Sequence, residues 1–103
     1  MIITTTFTIE GKKIVAYKGI VTGETIFGAN FVKDFFASIR DFVGGRSRTY
    51  EKTIDDARET SFAEMTKDAE EKGATAIVGV SIQYQTIGEM IMVTTTGTAV
   101  TVE

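Results

Sequence analysis

The hydrophobic pattern of this chain changes its period in the middle of the sequence, and this change limits the folds available to it. Residues 1–27 are rich in Ile, Val, Tyr and Phe and are divided by glycines into short pieces, which is typical of strands. Residues 30–43 and about 50–72 carry apolar side chains at helical spacing, and residues 74–103 return to the strand pattern. The order ββ(β)-αα-ββ predicts one α+β domain over residues 1–103, with two helices packed on a mainly antiparallel sheet.

The N-terminal strands are predicted to form a hairpin. Glu10-Gly11-Lys12 reads as a tight turn between a strand over Thr4–Ile9 and one over Lys13–Tyr17. Strand-forming residues continue over Lys13–Val21 and Glu24–Phe27.

The C-terminal strands begin with a segment that is apolar on both faces. Ala74–Tyr84 is therefore predicted to be a central strand. Glu89–Val93 and Thr98–Val102 predict one or two final strands, broken near Gly97. Two threonine triplets are predicted to lie on exposed or edge faces of the sheet: Thr4–Thr6 and Thr94–Thr96.

The first predicted helix covers residues 30–43 and is strongly amphipathic. Asn30 is a plausible N-cap, and Gly44-Gly45 would end the helix. Its apolar arc contains seven side chains: Phe31, Val32, Phe35, Phe36, Ile39, Phe42 and Val43.

The second predicted helix runs from about Tyr50 to Lys72, with Gly73 as the residue that ends it. Two charged residues, Arg58 and Asp68, fall inside its apolar arc, where a surface helix normally carries no charge. The remaining members of the arc are Ile54, Ala57, Ser61, Phe62, Met65 and Ala69.

Arg58 has three interpretations. Its stem lies on the core while its guanidinium reaches water, or it forms an ion pair within the subunit or at an oligomer contact, or it anchors a ligand. Asp34, at the edge of the first helix's apolar arc, is the candidate partner. We predict that Arg58→Ala destabilises the fold or the assembly by several kcal/mol, because a buried partner would be left unpaired.

The absence of histidine and cysteine excludes much of ordinary enzyme chemistry. No imidazole can shuttle protons near neutral pH, and no thiol can act as a nucleophile or bind soft metals. Catalytic residues, cofactors and metal ligands are therefore not assigned. Met90 and Met92 share one strand face, but two thioethers make a weak site, so no tight binding of Zn²⁺, Cu⁺ or Ni²⁺ is expected.

One loop could bind an anion. Gly44, Gly45, Arg46 and Arg48 combine flexible backbone N–H groups with two guanidinium groups before a helix N-terminus. The alternative is a helix–helix turn with solvated arginines, and the spacing is not that of a Walker loop.

A second polar group of side chains is acidic. It could hold Mg²⁺ or Ca²⁺ through carboxylate oxygens, or it could simply form a solvated outer helix face. Its members are Asp55, Asp56 and Glu59.

The charge distribution predicts neither nucleic acid nor membrane as a partner. The formal net charge is −3, and residues 74–103 contain no Lys or Arg, so no basic stripe is visible. The N-terminus does not read as a signal peptide, and no apolar run reaches membrane-spanning length. A cytoplasmic location is expected.

A series of residues that runs from Asn30–Asp34 through Ala57-Arg58 to Gly97-Thr98-Ala99-Val100 resembles the YbjQ-like family, and the resemblance covers most of the chain. The resemblance implies a dodecin-like α+β subunit that assembles as a homopentameric ring, and the family often carries a heavy-metal-binding label. Functional residues are not established in that family, so the resemblance implies no catalytic role; Arg58 matches its Ala-Arg pair. The matching positions are Asn30–Asp34, Gly44-Gly45, Tyr50, Ala57-Arg58, Met65, Gly73-Ala74, Ala76, Val78-Gly79-Val80, Tyr84 and Gly97-Thr98-Ala99-Val100.

The residues themselves also favour self-assembly, because the two apolar arcs and the apolar strand exceed what so short a chain can cover. The sequence therefore predicts a non-enzymatic homo-oligomer. Two alternatives stay open. One is a module that binds a small ligand or a metal ion at the Gly44–Arg48 loop, at Arg58 or between subunits; the other is an enzyme that uses carboxylate, Tyr or Lys chemistry.

Overall fold

A computed structural model of the chain describes residues 1–27, 48–88 and 90–103. These residues form one helix on one face of a four-stranded sheet, in the spatial order β1-β3-β4-β2. β1 pairs in parallel with β3, and the other two pairings are antiparallel. The elements are β1 (Ile2–Ile3), β2 (Ile14–Phe27), α1 (Arg48–Glu71), β3 (Ala76–Ile87) and β4 (Met90–Val102).

The α+β class is confirmed, with one helix on a mixed sheet. The second predicted helix corresponds to α1, which begins two residues before the predicted Tyr50 and ends one residue before Lys72. The first predicted helix, over residues 30–43, lies outside the described residues.

The core lies between α1 and the sheet, chiefly over β2 and β4. Alternate residues of β4, including Val93, Thr95, Gly97 and Ala99, are buried on the helix side. From α1, Ala57, Ser61, Met65 and Ala69 are buried, while Ile54 and Phe62 are partly buried against the core. The predicted apolar arc is therefore confirmed for these residues.

A smaller apolar cluster covers one end of the opposite sheet face. Ala76, Val78 and Val100 are buried there, with Ile9 and Ile14 packed against them. The segment that precedes β2 therefore folds over the face that α1 leaves open.

The predicted N-terminal hairpin is wrong, although its turn exists. The N–H of Lys12 donates to the carbonyl of Ile9 at 3.1 Å, but residues 4–9 form no strand and β2 pairs with β4. The N-terminal segment instead follows β3, where the N–H of Gly79 donates to the carbonyl of Thr6 at 2.8 Å. The pairing of β3 with β4 is interrupted between Val78 and Ser81, which frees this N–H.

Two other predicted breaks are absent. Lys13–Val21 and Glu24–Phe27 join into the single strand β2, and β4 continues through Gly97. A Cβ atom at Gly97 would lie 2.6 Å from Cγ2 of Ile77, so this glycine makes room for the neighbouring strand and does not end its own.

The two interior strands are β3 and β4. The prediction that Ala74–Tyr84 is central is confirmed for the part that lies in β3. The edge prediction for Thr94–Thr96 is wrong, because β4 is interior and Thr95 is fully buried. The Thr4–Thr6 triplet lies in bends that follow β1.

Candidate functional site

A buried set of hydroxyl groups joins α1 to the sheet. We call Thr25, Ser61 and Thr95 the hydroxyl cluster. Thr95 Oγ1 donates to the carbonyl of Ser61 at 3.1 Å, and Ser61 Oγ lies 3.0 Å from Thr25 Oγ1 and 3.2 Å from the carbonyl oxygen of Val93. Ser61 and Thr95 have no solvent exposure, so their hydrogen bonds replace those they would make with water.

Gly23 allows the helix to approach the sheet this closely. A Cβ atom there would lie 1.9 Å from the carbonyl oxygen of Ser61 and 2.9 Å from the amide nitrogen of Met65. Thr95 Oγ1 also reaches the carbonyl of Gly23, at 3.4 Å. The backbones of α1 and β2 are thus in contact, and the hydroxyl cluster fills the space beside that contact.

The hydroxyl cluster is suited to structure and not to nucleophilic catalysis. Ser61 is sealed from solvent, and a serine nucleophile needs an adjacent general base. The neighbours within hydrogen-bond distance of its hydroxyl are another hydroxyl and a backbone carbonyl, neither of which is a base near neutral pH.

Arg58 lies at the rim of the helix–sheet interface. Its Nη2 contacts Oδ1 of Asp55 at 2.9 Å, and the two side chains are 41% and 58% exposed. Asp68, the other charge in the predicted arc, pairs with Lys72 at 2.6 Å and is also partly exposed. Among the described residues, the pair made by Arg58 is therefore an exposed one, and the predicted partner Asp34 lies outside them.

The predicted anion loop falls largely outside the described residues. Asp34, Gly44, Gly45 and Arg46 are all in residues 28–47. Arg48 was expected in the loop but is the first residue of α1, because the helix extends to it from the predicted start at Tyr50. The anion site at this loop therefore stays a prediction.

The acidic residues do not form a metal centre in the described part of the chain. Asp55, Asp56 and Glu59 are exposed on α1, and one of the three carboxylates pairs with Arg58. Residues 1–27, 48–88 and 90–103 contain no group of three or more acidic side chains placed to hold a metal ion.

A hollow of about 490 Å³ lies beside the N-terminal segment. We call it the threonine hollow; it is lined by Ile2, Thr4, Thr6, Thr8, Ile9 and Glu10. The N–H of Thr6 donates to Thr4 Oγ1 at 3.2 Å, the hydroxyls of Thr4 and Thr6 lie 2.8 Å apart, and Thr6 Oγ1 donates to the carbonyl of Thr8 at 2.6 Å. Sequence reasoning missed this hollow, although the concentration of threonines over positions 4–8 was a visible signal.

The two most exposed large apolar side chains described on β2 lie on the face away from α1. Tyr17 is 73% exposed and Ile20 is 76% exposed. They pair with Val100 and Thr98, which alternate with the helix-facing Ala99 and therefore belong to the opposite face. We call Tyr17 and Ile20 the β2 patch.

No helix in the described segments combines the length and the apolar character needed to cross a membrane.

Comparison with known proteins gives one family. The YbjQ family model, described as "Putative heavy-metal-binding", matches residues 1–103. A UPF0145 protein of Actinobacillus pleuropneumoniae serotype 5b (strain L20) is 53% identical over 105 residues, covering 99% of each chain.

A similar solved structure supports the fold. It is a protein of unknown function from Pediococcus pentosaceus ATCC 25745, assigned to the DUF74 family, and it matches with a TM-score of 0.55. The match covers 100% of this chain and 98% of the other at 16% sequence identity, so the likeness concerns the fold alone.

Proposed function

The chain belongs to the YbjQ family, and from this membership we propose that it is a non-enzymatic, cytoplasmic protein that works as a self-assembled ring, most simply a homopentamer. The observation that carries the proposal is the β2 patch. Large apolar side chains that stand exposed on a sheet face mark a surface that another molecule covers.

The shape of the chain supports the same proposal. Its radius of gyration is 16.8 Å, whereas a compact chain of about 100 residues has a value of about 13 Å. Its extents of 53 × 25 × 16 Å describe a thin, elongated subunit. Such a shape leaves apolar surface of the described residues in contact with water, and coverage by neighbouring copies would remove it.

The position of β2 adds a third argument. β2 is 14 residues long and lies last in the sheet order. None of the described strands pairs with its outer edge, and a long, open edge strand invites pairing or coverage by another chain. Coverage by a second copy of the same chain would satisfy this edge and the β2 patch together.

The test is the mass in solution of three proteins, measured by light scattering coupled to size exclusion. The unaltered chain is expected at about five times the 11.2 kDa of one chain. Ile20→Lys, which places a charge in the β2 patch, should shift the mass to smaller species. Ala63→Lys is the matched control, since Ala63 is exposed on α1, and it should leave the mass unchanged.

A single-chain mass for the unaltered protein at micromolar concentration would reject self-assembly. A stable oligomer that Ile20→Lys does not weaken would reject the β2 patch as the contact surface.

A second candidate function is binding of a small ligand, and the threonine hollow favours it. Its volume falls within the range of about 300–1,000 Å³ that is usual for ligand pockets. The Gly44–Arg48 loop is the other candidate position. Because a ligand that binds the folded state raises the melting temperature, a thermal-shift screen with phosphate, citrate and small polyols tests both positions, and a flat response rejects this candidate.

A further inference from the structure

We infer that the heavy-metal description of the family does not extend to this chain. Zinc, nickel and other borderline or soft metals are held in proteins mainly by thiolate and imidazole groups. The 103-residue sequence contains no cysteine and no histidine, so neither ligand exists in any copy of this chain, assembled or not. The inference rests on this donor set and does not depend on the proposed self-assembly.

Methionine sulfur is the remaining soft donor, and its placement limits what it can do. Met65 is fully buried in the core between α1 and the sheet. Met1 precedes Ile2, and Ile2 pairs with Ala76 of β3. Ala76 in turn pairs with Val100, near the C-terminal end of β4, whereas Met90 is the first residue of β4. Ten strand residues separate these two ends, roughly 33 Å, so Met1 cannot join the other methionines within one chain.

Met90 and Met92 are the pair that remains. They lie on the same face of β4 as the β2 patch, and Met92 pairs with Ile26 and Gln85. Thioethers are neutral ligands that select Cu⁺ and do not supply the charge that Zn²⁺ or Ni²⁺ sites use. One step along the same face, Glu24 offers a single carboxylate, a ligand that suits hard cations better than Cu⁺.

The experiment uses the full chain in its assembled form, stripped of metal. Zn²⁺ and Ni²⁺ are titrated into it by calorimetry. Cu⁺ is titrated in an oxygen-free solution that contains a competing chelator. We expect no stoichiometric binding with a Kd below about 1 µM for any of the three ions. Elemental analysis of the purified protein should likewise find no stoichiometric zinc, nickel or copper.

Two variants make a negative result informative. Gln85→His combined with Met92→His places two imidazoles on directly paired positions, whose Cβ atoms lie about 5 Å apart, and should create measurable Ni²⁺ binding. This gain shows that the assay detects a site on this face. Met90→Leu combined with Met92→Leu should behave like the unaltered protein.

Stoichiometric binding below about 1 µM by the unaltered protein would overturn the inference. If the double leucine variant lost such binding, the thioether pair would be the site. Light scattering on the same samples reports assembly separately, so a failure of the proposed ring is distinguishable from a failure of this inference.

Discussion

At the scale of single residues, the close contact between α1 and β2 depends on a missing side chain. Gly23 brings β2 against the carbonyl of Ser61, and Thr95 donates to that same carbonyl from β4. Ser61 and Thr95 are the two buried polar residues of the described core, and both have hydrogen-bond partners in the chain. The position of the helix on the sheet is therefore set by backbone proximity and hydroxyl bonds together with apolar packing.

Gly23→Ala should be strongly destabilising. The added methyl carbon would overlap the Ser61 carbonyl oxygen, which is backbone and cannot rotate away, so α1 must move off the sheet. We expect a loss of about 3 kcal/mol or more in the free energy of unfolding, measured by urea denaturation.

The control for this change is Thr22→Ala, which alters the exposed neighbour on the other face of β2 and should cost less than about 1 kcal/mol. A Gly23→Ala protein as stable as this control would contradict the close contact of α1 with β2.

Arg58→Ala should have a small effect on the stability of the subunit. The ion pair with Asp55 is exposed on both sides, and exposed pairs contribute at most about 1 kcal/mol. Asp55→Ala is the matched variant and should give a similar value in the same denaturation experiment.

A loss of several kcal/mol for Arg58→Ala, or a fall in the mass of the assembly, would contradict this expectation. It would restore the interpretation in which the guanidinium is paired at a contact between copies.

At the scale of elements, α1 ends where its own residues dictate. Gly73 has a φ of 77°, its N–H donates to the carbonyl of Glu70, and the N–H of Ala74 donates to the carbonyl of Ala69, both at 3.0 Å. This pair of bonds is the Schellman arrangement, which satisfies carbonyls that the helix leaves open. Gly73 was predicted from sequence as the end of the helix, and the structure confirms it.

Gly73→Ala should lower the free energy of unfolding by about 1–2 kcal/mol, because a side chain disfavours the left-handed conformation. Gly73→Asn should cost less, since asparagine tolerates that conformation better than alanine. Thermal or urea denaturation of the two variants checks the order, and an alanine variant equal to or more stable than the asparagine variant would contradict it.

At the scale of the whole molecule, composition limits how the protein responds to pH. The chain has no histidine, the one side chain whose ordinary pKa lies between about 5 and 8. The slope of the free energy of unfolding with pH is proportional to the difference in bound protons between the unfolded and folded states. With no side chain ordinarily titrating in that window, this difference is close to zero.

The melting temperature should therefore change by less than about 2 °C between pH 6 and 8 at constant protein concentration. Differential scanning calorimetry at three pH values checks this. A stability that falls as pH rises through this window would contradict the prediction, because it would indicate a carboxyl group whose pKa is raised in the folded assembly.

Local patterns predicted the elements better than their pairing. The apolar arc of α1, the glycine that ends it and the apolar character of β3 all follow from neighbours close in sequence. The pairing of β2 with β4 and the path of residues 4–8 along β3 depend on contacts between distant segments. Local turn chemistry at Glu10-Gly11 therefore predicted a turn correctly and a hairpin wrongly.

The candidate sites also divide into features that the sequence predicted and features that contacts between distant segments decided. The lack of imidazole and thiol is a property of composition, so the sequence alone limits the chemistry and the metals available to this protein. The helical period placed Arg58 inside the apolar arc. In the structure, its side chain lies at the rim of the contact between α1 and the sheet, where it pairs with Asp55. The hydroxyl cluster and the role of Gly23 were decided only by tertiary structure, because they require three distant segments to meet within hydrogen-bond distance.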